Sequence, residues 1–208
     1  MGVIETEAGL REVLGRAEGL AVQKSRPGLD KYFRQFIAMS PFLVLSSANA
    51  KGKGDVSPRG DPPGFVHVVD DRTILIPDRP GNNRFDSMVN IIENPNVACL
   101  FMIPGFEDTL RLAGRARITH DADLLRHCAI NGKEPKVGIL VTVEEAFLHC
   151  SKALKRSKLW HDDYKQDRSQ MPSLARIIIE QSCESQVDET VVAEADARVE
   201  EDSRTGLY

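Results

Sequence analysis

The middle of the chain carries seven short segments of strand character, which predict six or so strands in series, and this feature most constrains the fold. Hairpin-type turns separate the early segments, and a helical segment separates the later ones. They are Phe42–Ser47, Asp55–Arg59, Phe65–Val69, Thr73–Ile76, Val97–Met102, Thr109–Thr119 and Val137–Val143. Strands that follow one another along the chain favour a closed or nearly closed antiparallel barrel over a doubly wound sheet. We therefore expect a mainly β protein with flanking helices (α+β).

The first two segments flank the Gly-rich turn Asn49–Gly54 and predict a hairpin. Pro58 has no N–H group to donate, so we expect strand pairing to be interrupted there. Such an interruption would expose backbone groups beside Ser57 and Arg59.

The segment Ile74–Pro95 predicts a strand, a polar loop and then a helix. Its helical part spaces Phe85, Met88, Val89 and Ile92 as one apolar face. Asn82 or Asn83 is the expected N-cap, and Asn94-Pro95 ends the helix.

Arg79 and Arg84 flank this loop. Free N–H groups, the positive end of a helix dipole and guanidinium groups together suit a phosphate dianion. The alternative is an ordinary strand–helix connection whose arginines face water. The chain shows neither a P-loop pattern nor GxGxxG after a strand, so binding of nucleoside triphosphates or of dinucleotides in a Rossmann fold is not supported.

The composition of the chain argues against several classes of binding partner. The chain has 208 residues, 41% of them hydrophobic, and a formal net charge of −4. It is long enough for a substantial core, and its charge argues against a general nucleic-acid binder. The four cysteines (Cys99, Cys128, Cys150 and Cys183) are widely spaced and predict free thiols rather than disulfides or a zinc site. No leader-like or membrane-spanning segment is evident, so a soluble cytoplasmic protein without membrane contact is expected.

Two further cationic segments are candidate ligand contacts. Arg111, Arg115 and Arg117 alternate with apolar residues, and a solvated strand face is the simpler interpretation. Ser151 is a candidate N-cap for a helix that places Lys152, Lys155 and Arg156 on one face, either meeting an anion or facing water. Trp160 follows and could stack on a flat ligand or simply pack. The five histidines show no ligand spacing, so we predict no metal.

The ends of the chain predict helices. Glu7–Gly15 and a second helix capped by Asp30 precede the strands, and the acidic segment Asp188–Tyr208 predicts a solvated helix or a partly disordered end. We therefore divide the chain into an N-terminal helical segment packing on the barrel (1–41), the barrel (42–160) and a C-terminal helical segment with an acidic tail (161–208).

Four stretches carry a family resemblance. VLSSANAKGKGDVSPRGD, ILIPDRPGNNRFDSMVNIIENPNVACLFMIPG, TLRLAGRARI and HCSKALKRSKLW occur in this order over Phe42–Trp160. They resemble the FMN-binding split barrels of the pyridoxamine 5′-phosphate oxidase type, most closely a branch of FMN-dependent enzymes without an assigned substrate. The resemblance implies a six-stranded antiparallel split β-barrel that forms a homodimer, with FMN at the subunit interface.

The resemblance also implies site residues. Arg79, Asn82, Asn83 and Arg84 would hold the phosphate, and Ile76, Pro77 and Asp78 would meet the flavin ring. Along the flavin edge or ribityl chain would lie Ser57, Pro58, Arg59 and Gly60. Lys152, Lys155 and Trp160 would approach from either subunit.

The resemblance to true pyridoxamine phosphate oxidases is incomplete. The chain lacks their R-K pair inside the helix and their C-terminal WxxxRLHDR-like element, so it supports FMN binding more than vitamin B6 oxidation. The first hypothesis is an FMN-dependent oxidoreductase that transfers a hydride or electrons to or from an unidentified small molecule. The alternatives are a non-catalytic flavin-binding or haem-binding protein, with His67 or His149 as a haem ligand, and a structural module without a cofactor. No residue stands out as a catalytic acid or base.

Overall fold

The protein is described here by a computed structural model that covers residues 2–182 and 187–208. Its centre is one antiparallel sheet of seven strands in the order β2-β1-β5-β6-β7-β4-β3. The strands are β1 (Phe42–Ala48), β2 (Gly54–Gly60), β3 (His67–Val68), β4 (Thr73–Pro77), β5 (Asn96–Met102), β6 (Thr109–Thr119) and β7 (Gly138–His149). The mainly β prediction is confirmed. The count differs from the expected six, and the Phe65–Val69 segment forms only the two-residue strand β3.

The predicted hairpin forms, but Pro58 does not interrupt it. β1 and β2 stay in register from Phe42 opposite Gly60 to Ala48 opposite Gly54, with Pro58 opposite Val44. The reason lies in the sheet order, because β2 is an edge strand. An edge strand has one side without a neighbouring strand, and a proline is tolerated where its missing N–H would point to that side.

The sheet curves until the edge strand β2 approaches the end of β4, the last strand but one towards the other edge. Strands β2 and β4 are separated by four strands in the sheet order, yet Arg59 Nη1 on β2 lies 2.8 Å from Asp78 Oδ1 just after β4. A flat sheet could not bring these atoms together, since neighbouring strands are spaced by about 4.8 Å. Side chains therefore bridge the split between the two ends.

The core fills the inside of this curved sheet. Leu43, Leu45, Ile74, Phe101 and Leu110 are fully buried there. Strand β6 follows its predicted alternation: its apolar residues face the core, whereas Arg111, Arg115 and Arg117 are exposed.

Helix α4 (Asp86–Glu93) packs on the sheet by a different face from the predicted one. Its buried residues are Ser87, Met88 and Ile91, whereas Phe85, Val89 and Ile92 are exposed. The helix also begins later than expected. Its N-cap is Phe85, which makes no side-chain capping bond, instead of Asn82 or Asn83. Ser87 is buried because its hydroxyl donates to Asp55 on β2, which turns this side of α4 towards the sheet.

The remaining helices flank the sheet. They are α1 (Glu7–Leu14), α2 (Leu20–Gln23), α3 (Lys31–Met39), α5 (Ala122–Leu125), α6 (Lys152–Ser157), α7 (Leu174–Ser182) and α8 (Glu189–Thr205). Asp30 caps α3 as predicted, accepting bonds from the backbone N–H groups of Tyr32 and Phe33, and α3 buries three apolar residues. Helix α1 buries none, so the N-terminal segment packs on the sheet through α3 rather than through α1. Ser151 makes no capping bond to α6.

The acidic C-terminal segment is helical, and it contacts the rest of the protein. Val192 in α8 is buried, and the Tyr208 hydroxyl donates to Asp61. Cys99 and Cys128 are buried free thiols, Cys150 is an exposed one, and Cys183 lies outside the described residues. Within the two described ranges, no helix has both the length and the apolar character needed to cross a bilayer.

Candidate functional site

A cleft of about 470 Å³ opens between β2, the loop after β4 and the first turn of α4. This volume lies within the range typical of small-molecule sites. The cleft brings together ten of the fourteen residues that were predicted to contact the cofactor. These ten are Ser57, Pro58, Arg59, Gly60, Pro77, Asp78, Arg79, Asn82, Asn83 and Arg84.

The other four predicted residues do not line this cleft within one chain. Ile76 is fully buried in the core, so only its backbone could face a ligand. Trp160 lies in a separate depression, where its Nε1 donates to the Phe106 carbonyl. Lys155 forms an exposed ion pair with Glu107 at 3.3 Å, and Lys152 is exposed on α6.

Arg59 lies in the cleft wall as a largely buried cation. Its Nη1 donates to Asp78 across the split in the sheet at 2.8 Å. Its Nε is also buried, but it has no hydrogen-bond partner among the described residues. A buried donor without a partner costs free energy, so the unpaired Nε is an energetically unfavourable feature of the cleft wall.

Arg79 is bound more tightly than the sequence suggested. Its Nε donates to Asp61 at 2.5 Å and its Nη2 to the Cys128 carbonyl at 2.7 Å. The side chains of Arg79 and Asp61 are only 16% and 2% exposed. This pair is a fixed part of the cleft wall rather than a mobile surface cation.

Arg84 is the most accessible of the three cleft arginines. Its side chain is 72% exposed and pairs with Asp86, two residues along, at 2.7 Å. The hydrogen bond from Arg84 to Asp86 and the charge of that carboxylate raise the pKa of Arg84. An exposed ion pair of this kind contributes little stability, so Arg84 can exchange its partner at low cost.

The loop before α4 has an unusual backbone conformation. Asn83 and Phe85 both have φ of 56°, in the left-handed region that few side chains other than Asn and Asp adopt readily. Because α4 has no side-chain cap, its first N–H groups remain available at the cleft. Asp55 lies beside them and accepts a hydrogen bond from Ser87 at 2.8 Å.

Each cleft arginine therefore already has a carboxylate partner in the same chain: Asp78, Asp61 and Asp86. The sequence pattern indicates the arginines but not Asp61, Asp55 and Ser87 as part of the site. The only available signal was the position of Asp61 two residues after Arg59. That spacing does not reveal that Asp61 pairs with Arg79 instead.

The chain also matches known proteins. A family model described as pyridoxamine 5′-phosphate oxidase matches residues 29–150, which is more than half of the chain. No curated protein sequence matches it.

Three solved structures are similar to this chain in fold. HupZ from Group A Streptococcus is 17% identical, with a TM-score of 0.47 over 58% of this chain and 93% of its own. A putative pyridoxamine 5′-phosphate oxidase from Lactobacillus delbrueckii is also 17% identical, with a TM-score of 0.46 over 60% of this chain and 98% of its own. HutZ from Vibrio cholerae, described as a haem storage protein, is 14% identical, with a TM-score of 0.41 over 58% and 93%.

Proposed function

Because this chain belongs to the pyridoxamine 5′-phosphate oxidase family, we propose that its cleft binds FMN and that the protein is an FMN-dependent oxidoreductase acting on a small molecule. The observation that carries the proposal is the set of cationic groups at a cleft of suitable volume: Arg59, Arg79 and Arg84 line it, together with the uncapped first turn of α4. An anionic ligand of suitable size would meet charged donors along this cleft.

The phosphate end of the cofactor would lie at the loop before α4. Arg84 is exposed, and its partner Asp86 is a weak competitor at the surface. The uncapped first turn of α4 adds free N–H groups and the positive end of its dipole. Asn82 and Asn83 lie on the same loop and bring further polar groups to it.

The ring end would lie towards the split in the sheet. There Pro77, Asp78 and the β2 residues from Ser57 to Gly60 line the cleft, and the backbone of Ile76 is adjacent. FMN, when bound, would supply hydride or electron transfer. The role of Arg59 is to place a fixed positive charge beside the ring, which favours negative charge on the reduced form.

The charged groups of the cleft suit an anion that takes the place of one carboxylate as the partner of an arginine. They suit less well an anion that is added while all three carboxylates stay paired. Arg59 and Arg79 are held by largely buried aspartates, and Arg84 alone has an exposed partner. Displacing Asp86 from Arg84 frees a guanidinium for the phosphate and returns Asp86 to water, where a carboxylate is well solvated.

We also propose that two copies form a homodimer with the cleft at their interface. Phe85, Val89 and Ile92 form an exposed apolar face on α4, next to the cleft. A second copy covering this face would bury it. Lys152, Lys155 and Trp160, which do not line the cleft of their own chain, would then be candidates for contacts from the partner subunit.

An absorption spectrum of the purified protein and a titration with FMN test the proposal. We expect a flavin spectrum, and we expect Arg84→Ala to weaken FMN binding about tenfold or more through loss of a charged hydrogen bond. Arg11→Ala is the matched control, because Arg11 also forms a local ion pair, on a helix without buried residues. That variant should bind FMN like the wild type.

Two results would contradict the proposal. A protein that takes up no flavin, or one that shows a Soret band instead, excludes FMN as the cofactor. Equal FMN affinity in the wild type and Arg84→Ala excludes the phosphate assignment. Reduction of the bound flavin by NADH or NADPH in a stopped-flow experiment then separates an enzyme from a passive flavin carrier.

A further inference from the structure

The last residue of the C-terminal segment reaches the back of the candidate cleft. The Tyr208 hydroxyl donates to Asp61 Oδ1 at 2.6 Å, although the two residues are 147 positions apart. The main-chain oxygen of Tyr208 accepts a bond from Lys133 Nζ at 2.8 Å. These two contacts hold Tyr208 at a fixed position, whereas α8, which precedes it, buries only Val192.

Asp61 connects Tyr208 to the cleft. Its side chain is 2% exposed, and each of its two oxygens has one donor: Oδ1 accepts from Tyr208, and Oδ2 accepts from Arg79 Nε. A carboxylate buried to this degree needs both bonds, because each lost donor leaves a charged oxygen without water or a partner. The hydrogen bond to Asp61 also raises the pKa of Tyr208.

Arg79 is the member of this network that lines the cleft. Two of its three nitrogens are occupied, Nε by Asp61 and Nη2 by the Cys128 carbonyl. The Tyr208 ring lies on the guanidinium, with its centroid 5.6 Å from Cζ. These bonds fix the guanidinium of Arg79 in the wall of the cleft, which the residue lines.

We propose that Tyr208 is a positioning residue for the cleft. By binding one oxygen of Asp61 and packing against the guanidinium, it keeps Arg79 in the orientation in which this side chain can bind the anionic group of the ligand. The C-terminal segment therefore determines how tightly the cleft holds an anion. The identity of that ligand as FMN rests on the proposed function. The positioning of Arg79 by Tyr208 does not depend on it.

The experiment uses the full chain with Tyr208→Phe, which removes only the hydroxyl, and Tyr208→Ala, which also removes the ring. Leu207→Ala is the matched control, because Leu207 is the exposed neighbour. Hydrogen exchange of the Arg79 Nε–H group, identified in ¹⁵N spectra by its loss in Arg79→Lys, reports the positioning without any ligand. We expect exchange at least about tenfold faster in Tyr208→Ala and an intermediate rate in Tyr208→Phe, since a buried hydrogen bond opens more often once its support is lost.

Binding of FMN and of riboflavin to the same variants forms the second arm. Riboflavin lacks the phosphate, so a residue that positions an arginine for the anion should affect FMN alone. We expect Tyr208→Ala to weaken FMN by about three- to tenfold, less than the loss of a direct charged hydrogen bond, and to leave riboflavin binding unchanged.

The outcomes separate the two proposals. Unchanged Arg79 Nε–H exchange in both Tyr208 variants overturns the positioning role whether or not FMN binds. Equal weakening of FMN and riboflavin also overturns it, because that pattern indicates a general loss of structure. If the wild type binds no FMN, the proposed function fails, and the exchange rates alone then decide the role of Tyr208.

Discussion

At the scale of single residues, the burial of three aspartates decides what the cleft arginines can do. Asp61 and Asp78 are largely buried and hold Arg79 and Arg59 in place, whereas Asp86 is exposed and holds Arg84 weakly. Removing one member of a buried pair leaves an uncompensated charge and typically costs about 3–5 kcal/mol. Variants of Asp61 or Asp78 would therefore report stability more than ligand binding, which is why Arg84 is the better probe of the site.

A stacked pair of histidines outside the cleft predicts a pH dependence. The rings of His67 and His127 are parallel, with their centroids 4.5 Å apart. Burial, and secondarily the proximity of His127, lower the pKa of His67 below its ordinary value of 6.5. The unfolded chain therefore binds more protons than the folded one in this range, so the contribution of His67 to stability is present above pH 6.5 and is lost as the pH falls through its folded value.

His127→Asn should bring the pKa of His67 closer to its ordinary value, because a like charge is removed while the burial of His67 remains. An NMR titration of the His67 ring in both proteins measures this change, and urea unfolding at pH 7 and pH 5 measures the stability. The exposed His120 provides the control variant, His120→Asn, which should leave the His67 titration unchanged. Identical His67 titrations in the wild type and His127→Asn would refute the proposed interaction.

At the scale of secondary-structure elements, long-range contacts set both the start and the orientation of α4. The helix begins at Asp86 after two residues with positive φ, and it turns Ser87 towards Asp55 instead of turning Val89 and Ile92 towards the core. A left-handed Phe85 costs about 1–3 kcal/mol and persists only where the surroundings enforce it. Such strain at the mouth of a cleft is typical of a functional loop.

The bulge between β6 and β7 carries a prediction at the same scale. The register between the two strands shifts at Ala113/Gly114. A Cβ added at Gly114 would overlap the carbonyl oxygen of Thr142, which is backbone and cannot move aside by changing rotamer. We expect Gly114→Ala to lower the free energy of unfolding by roughly 3 kcal/mol or more, as measured by urea denaturation. Gly54→Ala is the control, since no atom lies within 4 Å of its added Cβ, and equal stabilities would refute the prediction.

At the scale of the whole molecule, the curved sheet creates the cleft by bringing its two ends together. The contact between Arg59 and Asp78 joins β2 to the end of β4, and α4 lies beside that junction with one apolar face exposed. In our proposal, this exposed apolar face of α4 links ligand binding to dimer formation, because it lies next to the cleft.

Ile92→Lys tests this link. Ile92 is 75% exposed on α4, and we expect the substitution to convert a dimer into a monomer, because a buried lysine without a partner is costly at an interface. Leu14→Lys is the matched control, since Leu14 is 74% exposed on α1, away from the cleft. Sedimentation velocity at micromolar concentration measures the mass. A monomeric wild type, or a dimer that both variants leave intact, would exclude the α4 face as the interface.

The sequence by itself determined the elements that depend on neighbouring residues. Apolar alternation predicted β6, the Gly-rich turn predicted the first hairpin, and Asp30 caps the helix that it precedes. The sequence also predicted most of the residues that line the candidate cleft, because Arg79, Arg84 and the loop between them are contiguous. In each case a local pattern sufficed, since the interacting groups lie only a few positions apart.

Only the tertiary structure decided which cleft arginines are held by buried aspartates and which one is accessible. It also decided which face of α4 is buried and where in the fold Tyr208 lies. Asp61 meets Tyr208 from 147 positions away, and Arg59 meets Asp78 only because the sheet curves. Pairing at such separations leaves no periodic signal in the sequence. It depends on the summed curvature and packing of the whole sheet, which no single segment encodes.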